Sequence, residues 1–144
     1  MNLSMILPDS AIEERLVKGV LEMVKIEGIL IVEHDEGLRR SLALALSSKG
    51  YQVEAVRDSK EAMEKARAGR FKLALVDIDK HKDECLKLVA RMKKAYPETL
   101  VVVFSSHTST EDTIRAMNCG AAAYLTKPIN TGDLLETLEV VLER

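Results

Sequence analysis

Polar side chains follow four short apolar runs of this sequence, at the point where each run ends. In chain order the groups are Glu33-His34-Asp35, Asp77, Ser105-Ser106 and Lys127-Pro128. Carboxylate oxygens bind divalent cations such as Mg²⁺, while a lysine neutralises an anion and a hydroxyl donates a hydrogen bond to it. If the fold brings the four groups together, they suit a divalent cation that faces a phosphoryl group.

Strand and helix patterns alternate from residue 28 onward and would position these groups. Apolar runs, mostly rich in β-branched residues, predict strands over 29–32, 51–56, 73–76, 100–104 and 123–126. A helical pattern follows each strand, and the third helix is predicted over residues 86–94. Strict alternation favours a parallel sheet with right-handed crossovers and helices on both faces. Ligands of such sheets bind beyond the carboxyl ends of the strands, where the four polar groups should converge.

Small polar residues predict where the helices begin. The expected N-caps are Asp35, Ser59, Ser109 (in a capping box with Asp112) and Asn130. Between the third strand and the third helix, Lys80, Lys82, Asp83 and Glu84 predict a solvated charged turn over residues 80–85.

The first 27 residues lie outside this alternation and are interpreted as an N-terminal extension. Helical spacing of apolar residues predicts an amphipathic helix over about residues 10–25, with a stripe formed by Ile12, Leu16, Val17, Val20, Leu21 and Val24. A helix of this length is marginal alone in water, so its stripe should be buried against something. Packing on its own domain, a linker role, and a helix for a partner or a homodimer all remain open.

Composition excludes several classes of function. The chain has 144 residues, 47% hydrophobic, which suits one globular domain. A net charge of -2 and 3% aromatic residues argue against direct nucleic-acid binding. No apolar run approaches the roughly 18 residues of a membrane span, and Asp9 and Glu13 argue against a secretory leader. Cys85 and Cys119 lack a CxxC spacing, so reduced thiols and a cytoplasmic location are expected.

Three stretches resemble the receiver domain of two-component response regulators. They are Ile29 to Arg39, Leu75 to Asp79 and Gly120 to Pro128, and the resemblance runs from residue 28 to residue 144. It implies a receiver domain over 28–144 with a flavodoxin-like, doubly wound α/β fold. Its five-stranded parallel sheet would have the order 2-1-3-4-5, with the N-terminal helix as an addition.

The resemblance also implies a role for each polar group. Asp77 matches the aspartate that accepts a phosphoryl group from a histidine kinase or a phosphotransfer protein. Lys127 matches the lysine that pairs with the phosphate, Ser105 the hydroxyl that moves to bind it, and Ser106 the small residue that admits it. Tyr124 matches the switch aromatic.

Further implied features concern the metal, the partners and the chemistry. Glu33, Asp77 and the backbone carbonyl of Asp79 match Mg²⁺ ligands, and Lys127-Pro128 matches a cis-proline junction. A downstream effector would bind the fourth helix, fifth strand and fifth helix of the alternation. The domain would be a phosphoacceptor in phosphorelay signalling rather than an enzyme, with at most self-phosphorylation and self-dephosphorylation at Asp77.

One departure from the family pattern leaves alternatives open. His34 occupies the position of an acidic residue that binds Mg²⁺ directly, and imidazole is a poor ligand for that hard cation. The alternative to a phosphorylated switch is therefore a pseudo-receiver, a protein-interaction module with impaired Mg²⁺-dependent phosphorylation. His34, His81 and Glu33 also suggest a transition-metal site, against the simpler interpretation of a decayed Mg²⁺ pocket. A small phosphatase or hydrolase has little support, because no separate catalytic constellation is present.

Overall fold

Five strands and six helices alternate in a computed structural model, which describes residues 9–23, 28–107 and 109–143. The helices are α1 (Asp9–Met23), α2 (Glu36–Ser47), α3 (Ser59–Ala68), α4 (Lys82–Ala95), α5 (Thr110–Asn118) and α6 (Thr131–Leu142). The strands are β1 (Gly28–Val32), β2 (Gln52–Val56), β3 (Leu73–Asp77), β4 (Leu100–Ser105) and β5 (Ala123–Thr126).

The strands form one parallel sheet in the order β2-β1-β3-β4-β5, which confirms the predicted fold class. Side chains alternate between the two faces of the sheet along each strand. Leu30 and Val32 pack with the apolar faces of α3, α4 and α5, whereas Ile29 and Ile31 pack with α2 and α6. Two hydrophobic layers therefore hold the sheet rigidly in the middle of the domain.

Side-chain caps fix the starts of four helices, and one predicted cap was wrong by a residue. The side chain of Asp35 accepts a hydrogen bond from Leu38 N at 2.9 Å, and Ser109 and Asn130 cap α5 and α6 as predicted. For α3 the cap is Asp58, which accepts from Glu61 N at 2.9 Å, whereas Ser59 is the first helical residue. Sequence favoured the serine, but the carboxylate one position earlier satisfies the free backbone amide.

The predicted charged turn over residues 80–85 was wrong from Lys82 onward, because α4 begins at Lys82 rather than Leu86, whereas Lys80 lies in a bend. Its first turn is tied to α5 by two ion pairs. Lys82 Nζ lies 2.8 Å from Asp112 Oδ2, and Arg115 Nη2 lies 2.7 Å from Asp83 Oδ1. Acidic residues in the first turn are also favoured by the helix dipole. The charged residues 82–84 therefore belong to the first turn of α4, where Asp83 and Glu84 stay exposed to solvent.

The N-terminal helix α1 spans Asp9–Met23, and residues 24–27, which include the predicted end of the helix, lie outside the described residues. Two residues of the predicted apolar stripe are exposed, Leu16 by 62% and Val17 by 56%. These two side chains are therefore not buried against the sheet domain. Across the described parts of the chain, the helices lack the combination of length and apolar content that crossing a bilayer requires.

Candidate functional site

The carboxyl ends of four adjacent strands bring the predicted site residues together. Glu33 directly follows β1, Asp77 ends β3, Ser105 ends β4, and Lys127 directly follows β5. These strands are neighbours in the order β1-β3-β4-β5, so their ends form one continuous edge of the sheet. Residues far apart in sequence thus share a single site because the strands are parallel.

Lys127 lies at the centre of this site, in contact with three carboxylates. Its Nζ is 3.1 Å from Glu33 Oε2, 3.1 Å from Asp77 Oδ1 and 3.0 Å from Asp79 Oδ2. The ammonium group also lies 4.9 Å from the centroid of the Phe104 ring. Burial by itself would lower the pKa of Lys127, but the three carboxylates outweigh it and hold the pKa above its usual value. Lys127 is therefore a fixed positive charge at the strand ends.

Both carboxylate oxygens of Asp77 accept hydrogen bonds, and the side chain is almost completely buried. Oδ1 accepts from Lys127 Nζ at 3.1 Å and from the backbone N–H of Asp79 at 2.9 Å. Oδ2 accepts from Nδ1 of His34 at 2.7 Å. The imidazole, which is the departure noted in the sequence, therefore binds the predicted phosphoacceptor directly.

Asp79 has a side-chain role that sequence reasoning did not identify, since only its backbone carbonyl was considered. Its Oδ1 accepts from Ser105 Oγ and from Ser106 N, both at 2.7 Å. Its Oδ2 accepts from Ser106 Oγ at 2.8 Å and lies 3.0 Å from Lys127 Nζ. Burial alone would raise the pKa of Asp79, but these hydrogen bonds together outweigh burial and hold it well below its usual value. The sequence does carry an indication of this role. Asp79 lies two residues after Asp77, and side chains at i and i+2 of an extended chain point to the same side.

The fold disfavours the ionised form of Glu33. The residue is fully buried, and burial followed by the nearby charge of Asp77 raises the pKa of Glu33 to about 7. Lys127 and the backbone N–H of Asp35 oppose this shift without cancelling it. Folding thus favours the protonated form of Glu33, whose pKa in an unfolded chain lies near 4.5.

This shift predicts a pH dependence of stability that belongs to Glu33. The folded protein binds more protons than the unfolded chain between about pH 4.5 and pH 7, so the free energy of unfolding should fall as pH rises through that window. Glu33→Gln should remove this component, which we expect to be on the order of 2–3 kcal/mol. Urea unfolding of both proteins with a chelator, at several pH values, measures the difference. Parallel pH profiles would contradict the prediction.

The donor atoms at this edge fit Mg²⁺ poorly. Among the described residues, the cluster able to hold a metal comprises Glu33, His34 and Asp77, with ligand atoms within 4.8 Å of one another. The two carboxylates suit Mg²⁺, but the imidazole does not, and its Nδ1 already donates to Asp77. His81, considered with His34 for a transition metal, lies outside this cluster. Within this cluster, Glu33 and Asp77 are the carboxylates that could hold a divalent cation.

Residues near the end of β4 connect the hydroxyl of Ser105 to Tyr124. The backbone N–H of His107 donates to Ser105 Oγ at 3.0 Å, and the hydroxyl of Tyr124 donates to the carbonyl of His107 at 3.0 Å. His107 therefore links Ser105 to Tyr124, and a displacement of Ser105 would change the hydrogen bond that positions the Tyr124 ring. On the other side of the site, the peptide bond between Lys127 and Pro128 is cis.

Comparisons with known proteins agree on one family. The model of the response regulator receiver domain matches residues 29–139. The transcriptional regulatory protein DltR of Streptococcus agalactiae is 28% identical over 112 residues, which are 78% of this chain and 50% of DltR. The chain therefore spans about half the length of this curated relative.

Two solved structures are similar to this chain over nearly their whole length. A CheY-like receiver domain protein from Methanospirillum hungatei is 33% identical, with a TM-score of 0.77 over 82% of this chain and 94% of that one. The Vibrio cholerae chemotaxis protein CheY4 is 30% identical, with a TM-score of 0.75 over 81% of this chain and 98% of that one.

Proposed function

The chain belongs to the response regulator receiver domain family, which acts in two-component signalling, and from this premise we propose that Asp77 is its phosphoacceptor. The observation that carries the proposal is the contact between Asp77 Oδ1 and Lys127 Nζ at 3.1 Å, at the end of a buried parallel strand. A carboxylate nucleophile beside a fixed cation suits the transfer of a dianionic phosphoryl group.

The proposed reaction transfers a phosphoryl group from a phosphohistidine of a sensor kinase or a phosphotransfer protein. The P–N bond of the donor breaks, a P–O bond forms to a carboxylate oxygen of Asp77, and the donor imidazole leaves with a proton taken from solvent. Lys127 neutralises the incoming charge, while the hydroxyl of Ser105 and the backbone N–H of Ser106 donate hydrogen bonds to the phosphoryl oxygens. The product is an acyl phosphate on Asp77.

The proposed readout is a change of surface that begins at Ser105. The new group adds about -1.5 to -2 charges and new acceptor oxygens, which pull on the hydroxyl of Ser105 and, through His107, on Tyr124. We propose that an effector binds the face formed by α5, β5 and α6. Two apolar side chains of α5 are exposed, Ile114 by 54% and Met117 by 46%. A homodimer through α1 is a further proposal, supported by the exposed Leu16 and Val17.

The test is phosphorylation by a small phosphodonor. Purified protein is incubated with acetyl phosphate and Mg²⁺, and intact mass is followed over time. The wild type should gain the mass of one phosphoryl group, and Asp77→Asn should gain none. Asp133→Asn is the matched control, because Asp133 is exposed in the first turn of α6 and should leave labelling unchanged. Equal labelling of the wild type and Asp77→Asn would overturn the assignment of Asp77.

A specific observation favours a second candidate, the pseudo-receiver. Nδ1 of His34 forms a hydrogen bond of 2.7 Å with Asp77 Oδ2. His34 also takes the sequence position at which a metal-binding acid is expected. In this candidate the domain binds partners through the same surface without efficient phosphorylation. No adduct on the wild type even at high Mg²⁺, with labelling restored in His34→Asp, would favour the pseudo-receiver over the switch.

A further inference from the structure

Asp79 accepts hydrogen bonds from all the groups that the proposed function assigns to a phosphoryl group. We define the anion pocket by four donors, which are Ser105 Oγ, Ser106 N, Ser106 Oγ and Lys127 Nζ. Each lies between 2.7 and 3.0 Å from a carboxylate oxygen of Asp79. Throughout the described residues, buried side-chain nitrogen and oxygen atoms all have hydrogen-bond partners.

The location of this carboxylate places it beside the phosphoacceptor. Lys127 Nζ lies 3.0 Å from Asp79 Oδ2 and 3.1 Å from Asp77 Oδ1, so one ammonium group joins the two carboxylates. The backbone N–H of Asp79 donates to Asp77 Oδ1 at 2.9 Å, which fixes the two residues relative to each other. A phosphoryl group on Asp77 that reached the same donors would therefore meet the Asp79 carboxylate.

Charge makes simultaneous occupancy unfavourable. Glu33, Asp77 and Asp79 already surround one lysine, and His34 is the other basic side chain in contact with Asp77. A second anion within a few ångströms of Asp79 would be repelled strongly in this partly buried setting. An anion can enter the pocket only when the Asp79 side chain turns away from it.

We propose that the carboxylate of Asp79 is a resident competitor for the anion pocket: it binds the four donors in the unphosphorylated protein and must be displaced by an incoming phosphoryl group. This inference rests on the proposed function for the identity of the incoming group. The competition itself depends only on Asp79 and the four donors. Asp79 thereby holds Ser105 in place before any phosphoryl group arrives and opposes occupation of the pocket.

The experiment measures binding of inorganic phosphate to the anion pocket when Asp77 cannot react. In an Asp77→Asn background, backbone amide NMR follows a phosphate titration without metal. Adding Asp79→Ala should tighten phosphate binding at least about tenfold, with the Ser106 amide among the most perturbed. Asp79→Asn, which keeps the shape and removes the charge, should give a smaller increase and serves if the alanine variant does not fold. Asp133→Ala is the control and should leave the affinity unchanged.

A second readout checks the contact without any anion. Hydrogen exchange of the Ser106 amide should be faster in Asp79→Ala, because that N–H donates to Asp79 Oδ1 in the parent protein. Unchanged phosphate affinity in both Asp79 variants would overturn the inference. The phosphate titration does not use the reactivity of Asp77, so it tests the inference separately from the proposed function. If the wild type is not phosphorylated by acetyl phosphate, the proposed function fails, whatever the phosphate affinities are. If the wild type is phosphorylated while the phosphate affinities are equal, the proposed function stands and the inference falls.

Discussion

Replacing Lys127 with methionine should lower the free energy of unfolding at pH 7 by about 3–5 kcal/mol. The variant keeps an unbranched apolar side chain of similar size, but it loses the ammonium group that lies over the Phe104 ring. It removes the cation that lies within 3.1 Å of Glu33, Asp77 and Asp79, which leaves buried carboxylates facing one another. Urea unfolding with and without the substitution measures this loss.

The control for this prediction is an exposed lysine. Lys60→Met in α3 removes the same charge at the surface and should change stability by less than about 0.5 kcal/mol. The loss in Lys127→Met should shrink as pH falls below 7, because in the wild type Glu33, whose pKa is about 7, then takes up a proton and Lys127 has one carboxylate fewer to neutralise. Equal urea midpoints for the Lys127 and Lys60 variants would show that the ammonium does not hold the site together.

Replacing His34 with aspartate should tighten Mg²⁺ binding at least about tenfold and speed phosphorylation by acetyl phosphate. The substitution removes the imidazole from Asp77 Oδ2 and supplies a third carboxylate where the family pattern places a metal-binding acid. Without Mg²⁺ the same variant should be less stable than the wild type, because it removes the imidazole that donates to Asp77 and adds a fourth acid beside Glu33, Asp77 and Asp79. Calorimetric titration with Mg²⁺ measures the affinity, independently of phosphorylation.

The matched control is His81→Asp. His81 is exposed, lies close in sequence to the site at the start of α4, and has a backbone φ of 57°, which aspartate tolerates. It adds the same charge near the site without contacting Asp77. A gain in Mg²⁺ affinity that is equal in the two variants would mean that general negative charge, rather than the ligand at position 34, controls the metal.

Much of the fold could be predicted from the sequence because the strands are buried on both faces. Apolar runs such as Ile29 to Val32 and Leu100 to Phe104 leave little ambiguity about whether the element is a strand or about where it lies in the sequence. The alternation of these strands with helices favours a parallel sheet. Parallel strands in turn predict that the groups at their carboxyl ends meet. The convergence of Glu33, Asp77, Ser105 and Lys127 therefore followed from pattern alone.

Side-chain contacts across elements were harder to predict. Whether Lys82 and Asp83 form a turn or a helix depends on Asp112 and Arg115, about 30 residues away, and no local pattern reports those ion pairs. The same holds for the start of α3, where two adjacent capping residues compete. Each of these errors concerned the first residues of a helix, and the ends of elements are where sequence patterns are least decisive.

Roles within the site were the least predictable. Family resemblance directed attention to the backbone carbonyl of Asp79, whereas the described contacts involve its carboxylate. His34 was noted as a poor metal ligand, but its hydrogen bond to Asp77 requires the positions of both side chains. Such contacts depend on rotamers selected by the whole edge of the sheet, and one-dimensional spacing does not specify them.

The most direct test of the proposed function is to locate the phosphoryl group at the level of a single residue. The wild-type protein is treated with acetyl phosphate and Mg²⁺, the acyl phosphate is trapped by borohydride reduction, and the peptides are sequenced by mass spectrometry. We expect the reduced product at position 77 and unmodified aspartate at positions 35, 79 and 83. An unmodified Asp77 in protein that carries the adduct elsewhere would contradict the assignment of Asp77 as the phosphoacceptor.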